Sequence, residues 1–105
     1  MTSAWPNLSD LLQPADVDAP IGLIGAPLGA GSVTPGRCDL APAALRAVLK
    51  RIGRYDLDSR RELSTGIADH GDVALNGLDI EAATAPIRAA VRASVERHAL
   101  TRLIG

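Results

Sequence analysis

The sequence has no phenylalanine, one tryptophan (Trp5), one tyrosine (Tyr55), one cysteine (Cys38) and one lysine (Lys50). A lone cysteine leaves no internal disulfide and no cysteine-based zinc site, and it fits a reducing, cytoplasmic compartment. No stretch approaches the ~20 apolar residues of a membrane span. The first twenty residues carry Asp10, Asp16 and Asp18 and neither Lys nor Arg, so they do not read as a secretory leader. Eleven Lys and Arg against twelve Asp and Glu give a net charge of −1. That balance argues against a nucleic-acid or anionic-membrane partner recruited by bulk charge. With only 2% aromatic residues, a core must be built from Leu, Ile, Val and Ala, each burying less area than a ring. A domain of about 100 residues built that way is marginal, which predicts a chain that forms part of something larger.

What is present fits one small globular unit: 105 residues, 47% hydrophobic and 22% charged. Residues 1–19, with Pro6, Asn7, Ser9 and Pro14, read as an irregular lead-in with one turn around Leu8–Leu12. Residues 20–105 read as the folded portion. Ile21-Gly22-Leu23-Ile24-Gly25 is a continuous apolar run, as expected of a strand covered on both faces. A long loop rich in Gly and Pro follows it. Asp39 then reads as the N-cap of a helix with Pro42 in its first turn and Gly53 as its stop. Leu45, Val48, Leu49 and Ile52 fall on one face of that helix, and Arg46, Lys50 and Arg54 on the other. Residues 54–64 are polar and charged, a surface connection with room for an edge strand. Gly66–Val73 reads as a strand ending in a polar turn. Asp79 caps a helix from about Ile80 to His98, with Ile80, Ala83, Ile87, Val91 and Val95 as its buried stripe and Pro86 expected to kink it. Leu103-Ile104-Gly105 reads as another buried strand. The order β-loop-α-β-α-β predicts a parallel α/β sheet with right-handed crossovers, and one that is incomplete.

The glycine loop fails two phosphate-binding tests. Gly31 and Gly36 have the spacing of a Walker loop, but Arg37-Cys38 stands where Lys-Ser/Thr is needed, and Pro35 removes a backbone donor. Gly29-Ala30-Gly31 is followed by Thr34 where a dinucleotide fingerprint needs a third glycine. Asp69, His70 and Asp72 cluster at a strand's C-terminal end, where ligands of open α/β sheets sit. Such a cluster serves as metal ligands, as an acid–base pair, or as a turn whose carboxylates cap backbone N–H groups; two carboxylates favour the turn. Cys38 beside Arg37 lacks a nameable base and reads as a bystander. His98 reads as a cation at a helix C-terminus.

In combination these pieces resemble the N-terminal part of the ureohydrolase family, which includes arginases, agmatinases, guanidinobutyrases and formimidoylglutamases. The family has a Gly-rich loop, then Gly-Pro-x-x-Ile-Arg opening the first helix, then Asp-x-Gly-Asp-Val, then an apolar strand. Here Ala41-Pro42-Ala43-Ala44-Leu45-Arg46 departs from the first motif at Ala41 and Leu45, while Asp69–Val73 keeps the second. The resemblance covers residues 20–105. It implies a three-layer α/β/α fold with a central parallel sheet, and two Mn ions activating a hydroxide that attacks a guanidinium or amidine carbon. The small guanidino or amidino substrate belongs to the parent protein.

None of the family's metal ligands has a counterpart here. No residue is therefore assigned as catalytic or metal-binding, and the chain alone is expected to be inactive. The resemblance places Gly29, Gly31, Ser32, Thr34 and Arg37 on a loop shaping substrate access, and Asp69, Gly71 and Asp72 in a structural turn. An exposed sheet edge invites pairing with another chain, so a homo-oligomer is expected. Two other readings stand beside this one: a small phosphate- or nucleotide-binding α/β module using backbone amides of Gly29–Gly36, and a non-catalytic interaction subunit.

Overall fold

A computed structural model describes residues 5–29 and 36–105. Four strands form one parallel sheet: β1 (Leu12–Pro14), β2 (Ile21–Gly25), β5 (Ile67–Asp72) and β6 (Leu100–Ile104), in the order β1-β5-β2-β6. Between β2 and β5 lie helix α1 (Ala41–Leu49) and a small antiparallel ribbon of β3 (Tyr55–Asp56) and β4 (Arg61–Glu62). Helix α2 (Ile80–Arg97) connects β5 to β6.

The connection through α1 moves the chain from β2 to one side, and that through α2 carries it back across β2 to the other. Right-handed crossovers in opposite directions require helices on opposite faces. Side-chain parity agrees. A Cβ at Gly22 would meet Ser94 Oγ on α2 and His98 just after it, whereas one at Gly25 would meet Pro42 on α1. The central strand β2 is buried along nearly its whole length, with Leu23 and Ile24 in the core. A second cluster of Ala26, Leu75 and Ala83 closes the space beyond the strand ends, with Leu28, Val73, Leu78 and Ile87 against it.

The lead-in differs from the expected irregular segment. Leu8–Leu11 form a turn of 3-10 helix and Leu12–Pro14 form edge strand β1. Asn7 explains the order: its side chain accepts from Ser9 N while its own N–H donates to Asp10 Oδ2 at 3.0 Å. Leu8 N donates to Ile52 O at 2.8 Å, and Leu11 is buried. Pro14 sits on an edge, where a missing donor costs nothing.

The helices also depart from the expected pattern. Asp39 does not cap α1; Cys38–Leu40 form a 3-10 turn first, and Asp39 is paired with Arg37 instead. The helix ends at Leu49, before Gly53, and Val48 and Ile52 stay exposed. Helix α2 is capped by Asp79, as expected, and runs on through Pro86. Its face against the sheet is made of small residues, Ala83 and Ser94 above all. Ile80 and Val95, expected in the buried stripe, are 55% and 59% exposed. With Ile87 and Val91, Val95 lines an apolar groove of about 820 Å³ on the outer side of α2. The apolar residues thus occupy two faces of this helix, and the one closest to the sheet is the less bulky.

Candidate functional site

The candidate site lies beyond the C-terminal ends of β2 and β5, the usual place for ligands in parallel sheets. It begins with a bulge. Leu23 is in register with Asp69, but Gly25 is in register with Asp72, so β5 carries one extra residue there. Strict alternation would send side chains at 69 and 72 to opposite faces. The extra residue returns Asp72 to the face of Asp69. Gly71 makes this possible with φ +73°, a conformation that L side chains rarely adopt. Its N–H also donates to Asp69 Oδ1 at 2.9 Å.

Both carboxylates face Arg46, one turn into α1. The guanidinium forks onto Asp69, Nε to Oδ2 at 3.0 Å and Nη2 to Oδ1 at 2.9 Å, and its Nη1 reaches Asp72 Oδ1 at 2.6 Å. Arg46 and Asp69 side chains are about a quarter exposed or less (23% and 21%), Asp72 more so. Partial burial pushes the Asp69 carboxyl up, but hydrogen bonds from Arg46 and the Gly71 N–H, with the guanidinium charge, outweigh it and hold it below the usual carboxylate range. The same bonds raise Arg46 further above its ordinary value. Gly25 leaves the room for this grip, because a Cβ there would strike Asp72 Oδ1 and come within 2.9 Å of Pro42. Sequence periodicity assigns Arg46 to the outer side of α1. The structure turns it inward, where the carboxylate pair across the strand end compensates a largely buried guanidinium.

A polar cleft of about 280 Å³ is lined by the ends of the loops after β2 and β5. Gly29 and Arg37, both expected on an access loop, contribute to it, with Asp39, Asn76 and Gly77. Arg37 forks onto Asp39 at 3.0 and 2.8 Å, with the Arg37 side chain 70% exposed and that of Asp39 30%. Gly31, Ser32 and Thr34 lie outside the described residues. Cys38 is exposed in the adjoining 3-10 turn. His70 points to the opposite, α2 face and is separated from the two aspartates it adjoins in sequence. His98 does not stand exposed at the helix end: it is 7% exposed and bonded on both ring nitrogens.

The grip physically joins the two motifs, Pro42–Arg46 and Asp69–Val73. The sequence matches the arginase family over residues 19–105. The chain belongs to that family. Among solved structures it is similar to the formimidoylglutamase of Bacillus subtilis subsp. subtilis str. 168, with 24% identity and a TM-score of 0.80. That match covers 98% of this chain and 34% of the formimidoylglutamase, so the chain spans about a third of that protein's length. No curated protein matches it. The arginase-type α/β fold expected from the sequence is thereby shown, with helices on both faces of the parallel sheet.

Arginase-family proteins generally bind manganese, and these residues do not fit such a centre. Among the described residues no three His, Cys, Asp or Glu side chains converge as a metal cage. Asp69 and Asp72, the nearest thing to one, direct their oxygens at a guanidinium. Among the described residues, too, no helix is long and apolar enough to cross a membrane.

Proposed function

We propose that this chain provides the N-terminal α/β portion of a manganese-dependent hydrolase that cleaves a C–N bond in a guanidino or amidino compound. The family match over residues 19–105 carries the reading. The share of the related formimidoylglutamase that the chain covers supports it as well. The contribution of these residues is architectural. Arg46, Asp69 and Asp72 fix the ends of β2 and β5, and the cleft by Gly29, Arg37 and Asn76 borders the path of the substrate. The side chains that hold the metal ions come from elsewhere in the parent, and the 105 residues alone neither retain manganese nor turn over substrate.

The test is to purify the chain in the presence of Mn²⁺, dialyse it, and measure bound metal and hydrolysis of arginine, agmatine and formimidoylglutamate. The expected result is well under one equivalent of manganese and no product. Stoichiometric, tightly held manganese, or turnover of any of the three, overturns the reading.

A further inference from the structure

On the α2 face of the sheet, away from the cleft, two imidazoles meet. His70 Nε2 on β5 and His98 Nε2 just after α2 are 2.9 Å apart, with ring centroids 5.0 Å apart and planes at 65°. The other nitrogen of His98, Nδ1, lies 2.7 Å from the carbonyl of Ala19, a buried residue ahead of β2. A carbonyl only accepts, so His98 Nδ1 carries a hydrogen whatever the charge on the ring. The neutral His98 Nε2 is then an acceptor, and His70 Nε2–H is its donor. The Ala19 carbonyl thereby sets the tautomer of both rings.

We propose that His70 and His98 form a proton-limited clasp, which ties the end of α2 and the Ala19 segment to β5 and opens when both rings are protonated. The pair holds its bond with no added proton. It also holds with one, because a cationic ring donates to a neutral one and the bond becomes charge-assisted. A second added proton leaves two N–H groups facing each other at 2.9 Å with no acceptor between them. The surroundings make the second proton hard to place. Partial burial, the charge of His98 and that of Arg97 on α2 push His70 below its ordinary value, and Asp69 on β5 opposes them. Central strand β2 brings Gly22 beside His98, and neighbouring Ser94 and Thr101 bond each other at 2.8 Å. Among the described residues the hydrogen bonds of the two rings are to each other and to the Ala19 carbonyl. The clasp also holds the register of β6, since Leu100 N donates to Pro20 O one residue after Ala19.

The experiment is imidazole ¹⁵N NMR on the full chain from pH 8 to pH 4.5, with amide hydrogen exchange over residues 94–101 in the same range. At pH 8 the spectrum should place hydrogen on Nδ1 of His98 and Nε2 of His70. On acidification the rings should take up their protons in two separated steps, and exchange corrected for intrinsic rate should rise at least tenfold across the second. In His70→Gln, whose amide N–H can still donate to His98, the tenfold rise should disappear. Two rings titrating independently of each other, the opposite tautomers, or the same exchange profile in both proteins would overturn the clasp. The wild-type spectrum decides the matter even if the variant does not fold.

Discussion

The two faces of this sheet are fastened by different physics. On the α1 face a charged fork crosses from helix to strand end and is held in solvent-accessible geometry. On the α2 face small side chains let a helix lie close, and hydroxyls and imidazoles bond each other. A face closed by close contact is most sensitive to added volume, whereas a face closed by an ion pair is most sensitive to the loss of a partner. The two should therefore fail differently, and the largest failure belongs to the contact face. A side chain at Gly22 would collide with Ser94 Oγ and stand 2.6 Å from His98 Cδ2. Neither neighbour can swing away, since Ser94 bonds Thr101 and His98 is bonded at both nitrogens. Gly22→Val should cost about 3 kcal/mol, at the upper end of overpacking, read as a lower urea midpoint. A variant within about 0.5 kcal/mol of wild type would mean that α2 does not sit on β2 as closely as described.

Breaking the charged face should cost less. Arg46→Ala removes three hydrogen bonds and leaves Asp69 half-buried without its cation. A fully buried pair so broken loses ~3–5 kcal/mol and an exposed one under ~1; this geometry, between the two, should lose about 2 kcal/mol. Adding Asp69→Asn to Arg46→Ala should recover part of that loss, since the orphaned carboxylate is then gone. The same pair has a pH signature. Asp69 lies below its ordinary 3.8 in the folded chain, so its stabilisation is complete above that value and is lost as the pH falls through the lower, folded one. Wild type should therefore lose stability more steeply than Arg46→Ala below pH 3.8. Equal slopes would remove Arg46 as the cause.

The contrast between faces also explains what was readable in the sequence. Strand β2 and the long capped helix follow from local signals, an apolar run and Asp79, and each stands where expected, whereas Asp-x-Gly-Asp, read as a turn, forms a bulge inside β5. Contacts between distant segments left no such trace. Arg46 lies 23 residues from Asp69, and helical periodicity alone ranks a guanidinium as solvent-facing. The one usable signal was that two family motifs carry opposite charges. His98 was hidden in the same way, because its partners are 28 and 79 residues away. The stripe of α2 misled because apolarity marks two faces, and the sheet selects the face with the smaller side chains. Strand β1 is only three residues long and contains Pro14; it exists because β5 has a free edge and Leu11 needs cover.

The smallest effect sharpens the comparison from outside it. Arg37 and Asp39 form a bidentate ion pair with ordinary distances, on paper the equal of the Arg46 fork. The Arg37 side chain is 70% exposed, however, and the two residues are neighbours in the chain, so no segment is tied to another. Asp39 holds Arg37 above its ordinary value and is itself held below its own by the same bond, yet the largely exposed guanidinium is screened by water. Arg37→Ala should therefore leave the urea midpoint and the acid limb unchanged within error, while Arg46→Ala moves both. A clear shift from Arg37→Ala would show that bond geometry, rather than burial and the sequence distance bridged, sets what an arginine fork contributes to this fold.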